Sequence, residues 1–311
     1  MPLVYQNSIR PATPAGRAAA KKNDILLAMQ AVPHPDFPVI DAHVHLYPDA
    51  LARKVTPMLA NRFGNAPAFD GTVEGCRTKD AADGIAASLN LPVATQPDSV
   101  PRTNTFWAQV NETGRGQSPR VASLAAFHPH VADKGTEIER LAAAGFAGIK
   151  LHPEYQLFRF NDAAMDDAWA ALAEFGLVAY LHAGGERVFQ PPFHSTPSEI
   201  AELHRRFPKL KIVAAHLGGF SMWDEAEATL VGTHVFLDLS HTFFWMDDAQ
   251  ILRMIRNHGA DKILFGTDAP WQDPGQVLAA FLQLPLADAD RERICCTNAR
   301  DLFQLDLSRR D

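Results

Sequence analysis

The segment FPVIDAHVH (37–45) decides the fold, because an apolar β-type run there ends in two histidines spaced two residues apart. Seven further runs of this kind follow, mostly separated by a turn and a stretch with helical spacing. They are GIAASLNLP (84–92), RVASLAAFHP (120–129), AGIKLHP (147–153), LVAYLHAGG (177–185), KIVAAHLGG (211–219), HVFLDLS (234–240) and KILFGTDAP (262–270). Alternating strands and helices indicate a parallel sheet, and eight units close a (β/α) barrel. The sequence therefore predicts an α/β protein with a (β/α)8 TIM barrel fold.

The predicted helices fit the same domain plan. Their bounds are 133–144, 163–175, 197–207, 224–231, 247–258 and 274–282, with one more at 23–31. No linker rich in Pro, Gly or Ser divides the chain, so we predict an N-terminal extension (1–36) and one barrel domain (37–311). The segment 46–83 follows the first strand, and we expect it to form an insertion over the active-site face, as a candidate lid.

Composition excludes several classes of protein. Of 311 residues, 29 are Lys or Arg and 36 are Asp or Glu, and this net charge of −7 argues against a basic nucleic-acid surface. The 47% hydrophobic content allows a large core. Three cysteines, two of them adjacent, argue against a disulfide framework, and no run is apolar enough to cross a membrane. We therefore expect a cytoplasmic protein that acts on a small molecule, with neither nucleic acid nor membrane as partner.

Polar side chains interrupt the apolar runs at their C-terminal ends. They are His43, His45, Lys150, His152, His182, His216 and Asp268. Residues two apart on a strand face the same side, so the pairs His43 with His45 and Lys150 with His152 should both face the barrel mouth. Imidazoles and one carboxylate from the first, fifth, sixth and eighth runs would converge there. By ligand type, this pattern predicts a metal site.

Five motifs carry a family resemblance: VIDAHVHLYP, GIKLHP, YLHAGG, FPKLKIVAAHLGG and ILFGTDAPW. Together they resemble the amidohydrolase superfamily, in particular the amidohydrolase-related branch that includes aminocarboxymuconate-semialdehyde decarboxylase. The resemblance implies a distorted barrel with one divalent metal ion, usually zinc, and leaves self-association open. It also implies a catalytic role for His216 beside the metal-bound water. The implied ligands are His43, His45, His182 and Asp268.

Two reactions fit this set of residues. A bound divalent cation generates hydroxide near neutral pH and polarises a carbonyl group. Asp268 is then the candidate proton carrier, and His216 is the candidate hydrogen-bond donor to the water or the developing oxyanion. We expect a metal-dependent hydrolase that acts on a small cyclic or carboxylated compound, such as a lactone, ester or amide. The alternative is non-oxidative decarboxylation of an aromatic or unsaturated carboxylic acid.

Lys150 has three interpretations. In binuclear branches of the superfamily, a lysine on the fourth strand is carbamylated and bridges two metals, so a second metal is one option. Lys150 also suits the binding of a substrate carboxylate, or a pair with Asp41 on the first strand. His152 should lie nearer the mouth, either touching substrate or capping the barrel.

Other residues are candidates for the surroundings of the site. Asp238 and Ser240 at the end of the seventh run suit either supporting hydrogen bonds to the site or a structural role in which they bond the backbone at the strand end. Arg187 and Arg53 are either carboxylate ligands or surface charges. The aromatic residues of the loops predict a flat pocket for an aromatic or cyclic substrate, with Trp271 as a substrate-binding residue. They are Phe189, Phe193, Phe220, Trp223, Phe243, Phe244, Trp245 and Trp271.

Overall fold

The strands follow the predicted runs in the computed structural model, which describes residues 35–307. They are β1 (Ile40–Val44), β2 (Ala87–Asn90), β3 (Arg120–Ser123), β4 (Ala125–Ala126), β5 (Gly148–Leu151), β6 (Val178–Leu181), β7 (Lys211–Ala214), β8 (Phe236–Asp238) and β9 (Ile263–Leu264). Each of the eight runs contains a strand, and the third run is divided into β3 and β4 at Leu124.

All strand pairs are parallel and follow chain order, as expected for a barrel built from βα units. One sheet holds β1 to β3 and the other holds β4 to β9. The Leu124 amide donates to the carbonyl of Asn90 at 3.0 Å where the two sheets meet. The Ala42 amide donates to the carbonyl of Phe265 at 2.9 Å, which brings the first strand beside the segment after β9. The predicted α/β class and TIM barrel fold are confirmed.

The helices lie between the strands. They are α1 (Asp49–Phe63), α2 (Val73–Asp83), α3 (Val100–Thr113), α4 (Lys134–Ala143), α5 (Pro153–Gln156), α6 (Asp166–Glu174), α7 (Pro197–Arg206), α8 (Trp223–Thr229), α9 (Asp248–His258), α10 (Pro274–Leu282), α11 (Asp288–Glu292) and α12 (Asn298–Phe303). The six helices predicted between strands are present to within three residues at each end, and the helix predicted at 23–31 lies outside the described residues. Within 35–307, no helix is long and apolar enough to cross a membrane.

Side-chain caps fix where several of these helices begin. The Thr196 hydroxyl accepts from the Glu199 amide at the start of α7, and the Asp273 carboxylate accepts from the Gln276 amide at the start of α10. Such caps satisfy amides that have no partner within the helix. Since Asp273 lies close after β9, its cap also fixes the loop that leaves the last strand.

The core has an outer layer, between strands and helices, and an inner cluster inside the barrel. The inner cluster combines residues from strands on all sides with the C-terminal helix α12. Phe303 of that helix stacks beneath Tyr180 of β6, with ring centroids 6.1 Å apart. The N-terminal end of the barrel is therefore filled by packed side chains, and the polar residues collect at the other end.

Candidate metal centre and active site

Three of the four predicted metal ligands converge at the C-terminal end of the barrel. His43 Nε2 lies 3.2 Å from His45 Nε2 and 3.1 Å from Asp268 Oδ1. His45 Nε2 lies 2.9 Å from the same carboxylate oxygen. Ligand atoms that hold zinc in tetrahedral geometry at about 2.1 Å lie roughly 3.4 Å from one another. Two imidazole nitrogens and a carboxylate oxygen at this spacing fit a divalent cation.

The other ring nitrogen of each histidine is held by the protein. His43 Nδ1 donates to Asp238 Oδ2 at 2.8 Å, and His45 Nδ1 donates to the carbonyl of Leu91 at 3.0 Å. A proton on Nδ1 leaves Nε2 with a free lone pair, so both rings present that atom for coordination.

Asp238 anchors the floor of the site through five hydrogen bonds, one of them from the Ser240 hydroxyl. Besides His43, it accepts from the Tyr180 hydroxyl at 2.6 Å and from the amides of His216 at 3.0 Å and Ser240 at 2.8 Å. The Ser240 side chain in turn lies 2.8 Å from His216 Nδ1. Both roles that the sequence left open are therefore present, because these two residues hold the rings of His43 and His216 and Asp238 also accepts from backbone amides at the strand end.

Burial and charge set the protonation of these groups. Burial holds the pKa of His45 below its usual value, which favours the neutral imidazole that binds metals. Burial also lowers the pKa of His43, but the carboxylates of Asp238 and Asp268 outweigh it, so this pKa lies above its usual value. Although burial opposes ionisation of Asp268, the charges of His241, His43 and His45 hold its pKa well below the usual range. Protons and a cation would therefore compete chiefly at His43.

His182 lies outside this group of three. Its Nε2 is 3.0 Å from the carbonyl of Gly185, and its Nδ1 is 3.2 Å from His216 Nε2. Its ring also stacks on His152, with centroids 3.8 Å apart and planes 9° apart. Because both nitrogens have protein partners, the structure does not place the four predicted ligands around one point. His182 as a fourth ligand stays a prediction.

His216 lies beside the centre, where the sequence predicted a catalytic group. Its ring centroid is 5.2 Å from that of His43, and burial lowers its pKa well below the usual value, so the ring is neutral at pH 7. Its backbone has a φ of 58°, and Asp268 has a φ of 66°. Left-handed conformations are strained for residues other than glycine, and they concentrate at functional sites.

His241 is a site residue that the sequence analysis did not identify. Its Nε2 lies 2.7 Å from Asp268 Oδ2, the carboxylate oxygen that does not face His43 and His45. Its backbone is also left-handed, with a φ of 53°. It is the first residue after the run HVFLDLS (234–240), so the strand-end rule that found His216 would have found it with the run extended by one position.

Lys150 is completely buried, and its Nζ has no hydrogen-bond partner within the described part of the chain. The nitrogen lies 5.1 Å from the centroid of the Tyr180 ring. The predicted pair with Asp41 is not formed, because the Asp41 carboxylate accepts from Thr267 and from the amide of His43. Burial lowers the pKa of Lys150 to about 8, against the opposing charges of Asp238 and Asp268.

His152 and Trp271 occupy the rim. His152 is buried, and its Nε2 lies 3.6 Å from Glu186 Oε2. These two residues and His182 form a second group of possible ligands, but the stacked imidazoles give a poor geometry for a shared ion. Trp271 lines a cavity of about 480 Å³ together with His241, Trp245 and Phe244. Since His241 contacts Asp268 as well, the cavity opens next to the three ligands.

Replacing Asp238 by asparagine is expected to weaken metal binding about 10- to 100-fold, because His43 loses the charged acceptor that orients it. Manganese titration at fixed pH, with bound metal measured after removal of free ions, checks this. The control is Asp288→Asn, since the Asp288 side chain is 93% exposed. Equal manganese affinity in both variants would show that Asp238 does not support the ligand.

Three curated relatives that the chain matches are gamma-resorcylate decarboxylases. The protein from Rhizobium sp. (strain MTP-10005) is 24% identical over 219 residues, which are 63% of this chain and 60% of the relative. The matches to the proteins from Polaromonas sp. (strain JS666) and Rhizobium radiobacter cover 37% and 36% of those relatives. The chain thus spans less than two thirds of the curated relatives it matches.

These relatives correct the expected reaction. From the sequence we expect hydrolysis, with decarboxylation as the alternative, whereas the relatives are decarboxylases. The expectation of a hydrolase is therefore wrong. The sequence did not separate the two reactions because the same histidines and carboxylate can hold a cation for either of them.

Solved structures and a family model give the wider relationship. The 5-carboxyvanillate decarboxylase from Sphingomonas paucimobilis matches with a TM-score of 0.67 and 17% identity over 87% of this chain and 100% of that one. A dihydroxybenzoic acid decarboxylase from Polaromonas sp. JS666, with bound manganese, matches with a TM-score of 0.63 and 21% identity over 86% of this chain and 97% of that one. The family model for Amidohydrolase matches residues 40–305. As its motifs predicted, the chain belongs to the amidohydrolase family.

Proposed function

We propose that the chain catalyses the metal-dependent, non-oxidative decarboxylation of an aromatic carboxylic acid. The observation that carries this proposal is Lys150, a buried cation without a hydrogen-bond partner among residues 35–307. A buried charge is costly unless it is paired, so a substrate carboxylate is the natural counter-ion. The names of the relatives agree with a substrate of this class.

The aromatic part of the substrate is assigned to the cavity beside the ligands. Trp245, Phe244 and Trp271 give it flat apolar walls, and its volume of about 480 Å³ is in the range of small-molecule sites. In this pose the ring packs among the loop aromatics while its carboxylate enters the barrel mouth. His152 lies there too, and we keep it and Trp271 as substrate-binding residues.

We assign the cation to His43, His45 and Asp268, with His182 as the predicted fourth ligand. A bound divalent cation would supply Lewis acidity that draws electron density from the substrate oxygens. Histidine and carboxylate ligands accept manganese as well as zinc, and manganese is the ion named for the Polaromonas structure. Zinc, and a second ion at a carbamylated Lys150, stay predictions.

The reaction breaks the bond between the ring and the carboxylate. Carbon dioxide leaves, the electron pair stays on the ring carbon, and that carbon takes a proton. We assign this proton transfer to Asp268, whose Oδ2 is held by His241 at 2.7 Å. Since its pKa lies well below the usual range, the carboxylate rests ionised, so it would first take a proton from water and then pass that proton to the ring carbon. We assign to His216, which is held by Ser240 and by the carboxylate of Asp238, the hydrogen bond to a substrate oxygen during bond cleavage. Its Nε2 would make this bond in place of its contact with His182 at 3.2 Å.

We also propose that the segment 46–83 covers the mouth of a single barrel domain. Phe63 at the end of α1 contacts the Trp271 ring, with centroids 5.1 Å apart, and Asn65 Nδ2 donates to the Trp271 carbonyl at 2.8 Å. Ala66 and Ala68 line the cavity. A cover of this kind would exclude water from the reacting ring carbon.

The test measures carbon dioxide and free acid on the same samples. We expect the manganese-loaded protein to release carbon dioxide from 2,6-dihydroxybenzoate or a related hydroxybenzoate, and a chelator to abolish the release until manganese is restored. The methyl ester of the same acid is the control, because it cannot lose carbon dioxide directly. Free acid from the ester, with no carbon dioxide from any aromatic acid, would contradict the proposal.

A further inference from the structure

Tyr155 carries a buried hydroxyl group that the proposed reaction does not use. The residue lies on α5, three positions after His152, where the chain leaves β5 at the barrel mouth. Its hydroxyl oxygen is buried and has no hydrogen-bond partner within residues 35–307. The hydroxyl of Tyr180, by contrast, donates to Asp238 at 2.6 Å. Buried hydroxyl groups are nearly always paired, so the hydroxyl of Tyr155 is available to a bound molecule.

The Tyr155 ring is held by packing from several sides. Its centroid lies 4.5 Å from that of His152 and 5.2 Å from that of Phe189, and both contacts are edge-to-face. The guanidinium carbon of Arg62 on α1 lies 6.0 Å from the same ring centroid. Edge-to-face contacts and a cation near the ring face hold an aromatic side chain without using its hydroxyl. The hydroxyl is therefore kept in position although no hydrogen bond holds it.

Gln156 fixes the short helix that carries Tyr155. Its side-chain oxygen accepts from the amide of His152 at 2.8 Å. Its side-chain nitrogen donates to the carbonyls of Ala94 at 2.8 Å and Phe127 at 2.7 Å. These bonds tie α5 to the segments that follow β2 and β4. A donor on a fixed element loses little freedom when it binds a ligand, so Tyr155 is preorganised for binding.

Two observations place the hydroxyl beside the active site. His152, whose ring touches that of Tyr155, also has a buried ring nitrogen, Nδ1, without a partner in the described chain. Burial raises the pKa of Tyr155 above its usual value, and the charges of Glu186 and Asp268 raise it further, against the opposing charge of Arg62. The hydroxyl thus lies within electrostatic range of Asp268 and stays protonated as a hydrogen-bond donor. Unpaired polar atoms on two touching side chains indicate a position for a polar group of a ligand.

We propose that Tyr155 is a substrate-binding residue whose hydroxyl donates a hydrogen bond to an oxygen atom of the bound aromatic acid. The inference rests on the proposed function for the identity of this ligand. The accepting oxygen belongs either to the carboxylate or to a substituent of the ring, and the experiment below distinguishes the two. The bond orients the substrate relative to the cation, whereas cleavage and proton transfer are assigned to other residues.

Tyr155→Phe tests the inference because it removes only the hydroxyl. Calorimetric titration of the manganese-loaded protein uses two probes, benzoate, which has only the carboxylate, and resorcinol, which has only ring hydroxyls. We expect the variant to bind at least one probe about tenfold more weakly, the usual loss for one hydrogen bond from a buried donor. Weaker binding of benzoate assigns the bond to the carboxylate, and weaker binding of resorcinol assigns it to the ring oxygen. Thr105→Val is the control, because it removes an exposed hydroxyl that bonds the carbonyl of Pro101 on α3.

Melting curves of the metal-free protein separate this role from a structural one. Removal of an unpaired hydroxyl breaks no hydrogen bond within the protein, so Tyr155→Phe should melt at the temperature of the unchanged protein or above it. Tyr180→Phe should melt at a lower temperature, because its hydroxyl donates to Asp238.

Two results would overturn the inference. One is no difference between Tyr155→Phe and the unchanged protein for either probe, including no binding of either probe to both proteins. The other is a lower melting temperature of Tyr155→Phe, which would mean that the hydroxyl has a partner in the protein. The proposed function is judged separately by carbon dioxide release. If carbon dioxide is released and Tyr155→Phe binds both probes normally, only the role of Tyr155 falls. If Tyr155→Phe weakens binding and no acid loses carbon dioxide, only the proposed reaction falls.

Discussion

Replacing Asp268 by asparagine is expected to lower the rate of carbon dioxide release by about 10² to 10⁴-fold, the usual effect of removing a positioned acid or base. The carboxylate has two separate contacts, since Oδ1 faces His43 and His45 and Oδ2 faces His241. An asparagine side chain can keep one oxygen towards the histidines, but it cannot carry the proton. The rate of carbon dioxide release should therefore fall by a much larger factor than the amount of bound manganese.

The measurement needs turnover and bound manganese from the same preparation, because loss of the cation would also stop the reaction. Asp261→Asn is the control, since the Asp261 side chain is 59% exposed. The proposed proton transfer would be refuted if Asp268→Asn retained manganese and released carbon dioxide at nearly the rate of the unchanged protein. A parallel His241→Asn variant then shows how much the contact between His241 and Asp268 Oδ2 contributes to the rate of carbon dioxide release.

The barrel could be predicted because each strand is a short apolar run that ends in turn residues. Six helices were not predicted (α1, α2, α3, α5, α11 and α12), and for two of them the physical reason is clear. Helix α1 contains Pro57 in its interior, and proline normally ends a helix. Helix α3 buries Asn104 between Val100 and Trp107, which interrupts the apolar face that marks a helix in sequence. The amide of Asn104 bonds the backbone of Ala126 in β4, a partner that spacing alone does not reveal.

Strand parity predicted which polar residues reach the mouth, but not how their rings are turned. His43 keeps its Nε2 free because Asp238, 195 positions away, takes its Nδ1. His182 turns to His216 and the carbonyl of Gly185. These hydrogen-bond partners lie in other βα units or in loops, so the sequence of a single strand does not predict them. The reaction was predicted wrongly for a different reason. The ligand residues indicate that a cation binds, whereas the loops around the barrel mouth determine which substrate binds.

Lys150→Met is expected to lower the catalytic activity and to raise the unfolding temperature. Methionine has nearly the same length and no charge, so the substrate carboxylate loses its buried counter-ion. We expect kcat/KM for carbon dioxide release to fall about a hundredfold, a common cost of removing one partner of a buried charge pair. Lys209→Met on the exposed surface is the control. Unchanged kcat/KM in Lys150→Met would remove the observation on which the proposed function rests.

The same variant should unfold at a higher temperature, because the metal-free protein buries this charge without a hydrogen-bond partner in the described chain. The pKa of Lys150 falls from 10.5 to about 8 on folding, which corresponds to roughly 3 kcal/mol of lost stability. The unfolded chain holds the proton more tightly, so the unchanged protein gains stability as the pH rises from about 8 towards 10.5. The advantage of Lys150→Met should be fully present at pH 7 and shrink through that window. Melting curves after chelation, at pH 7 and pH 9.5, measure it. A methionine variant that is less stable at pH 7 would mean that Lys150 has a stabilising partner and is not held ready for substrate.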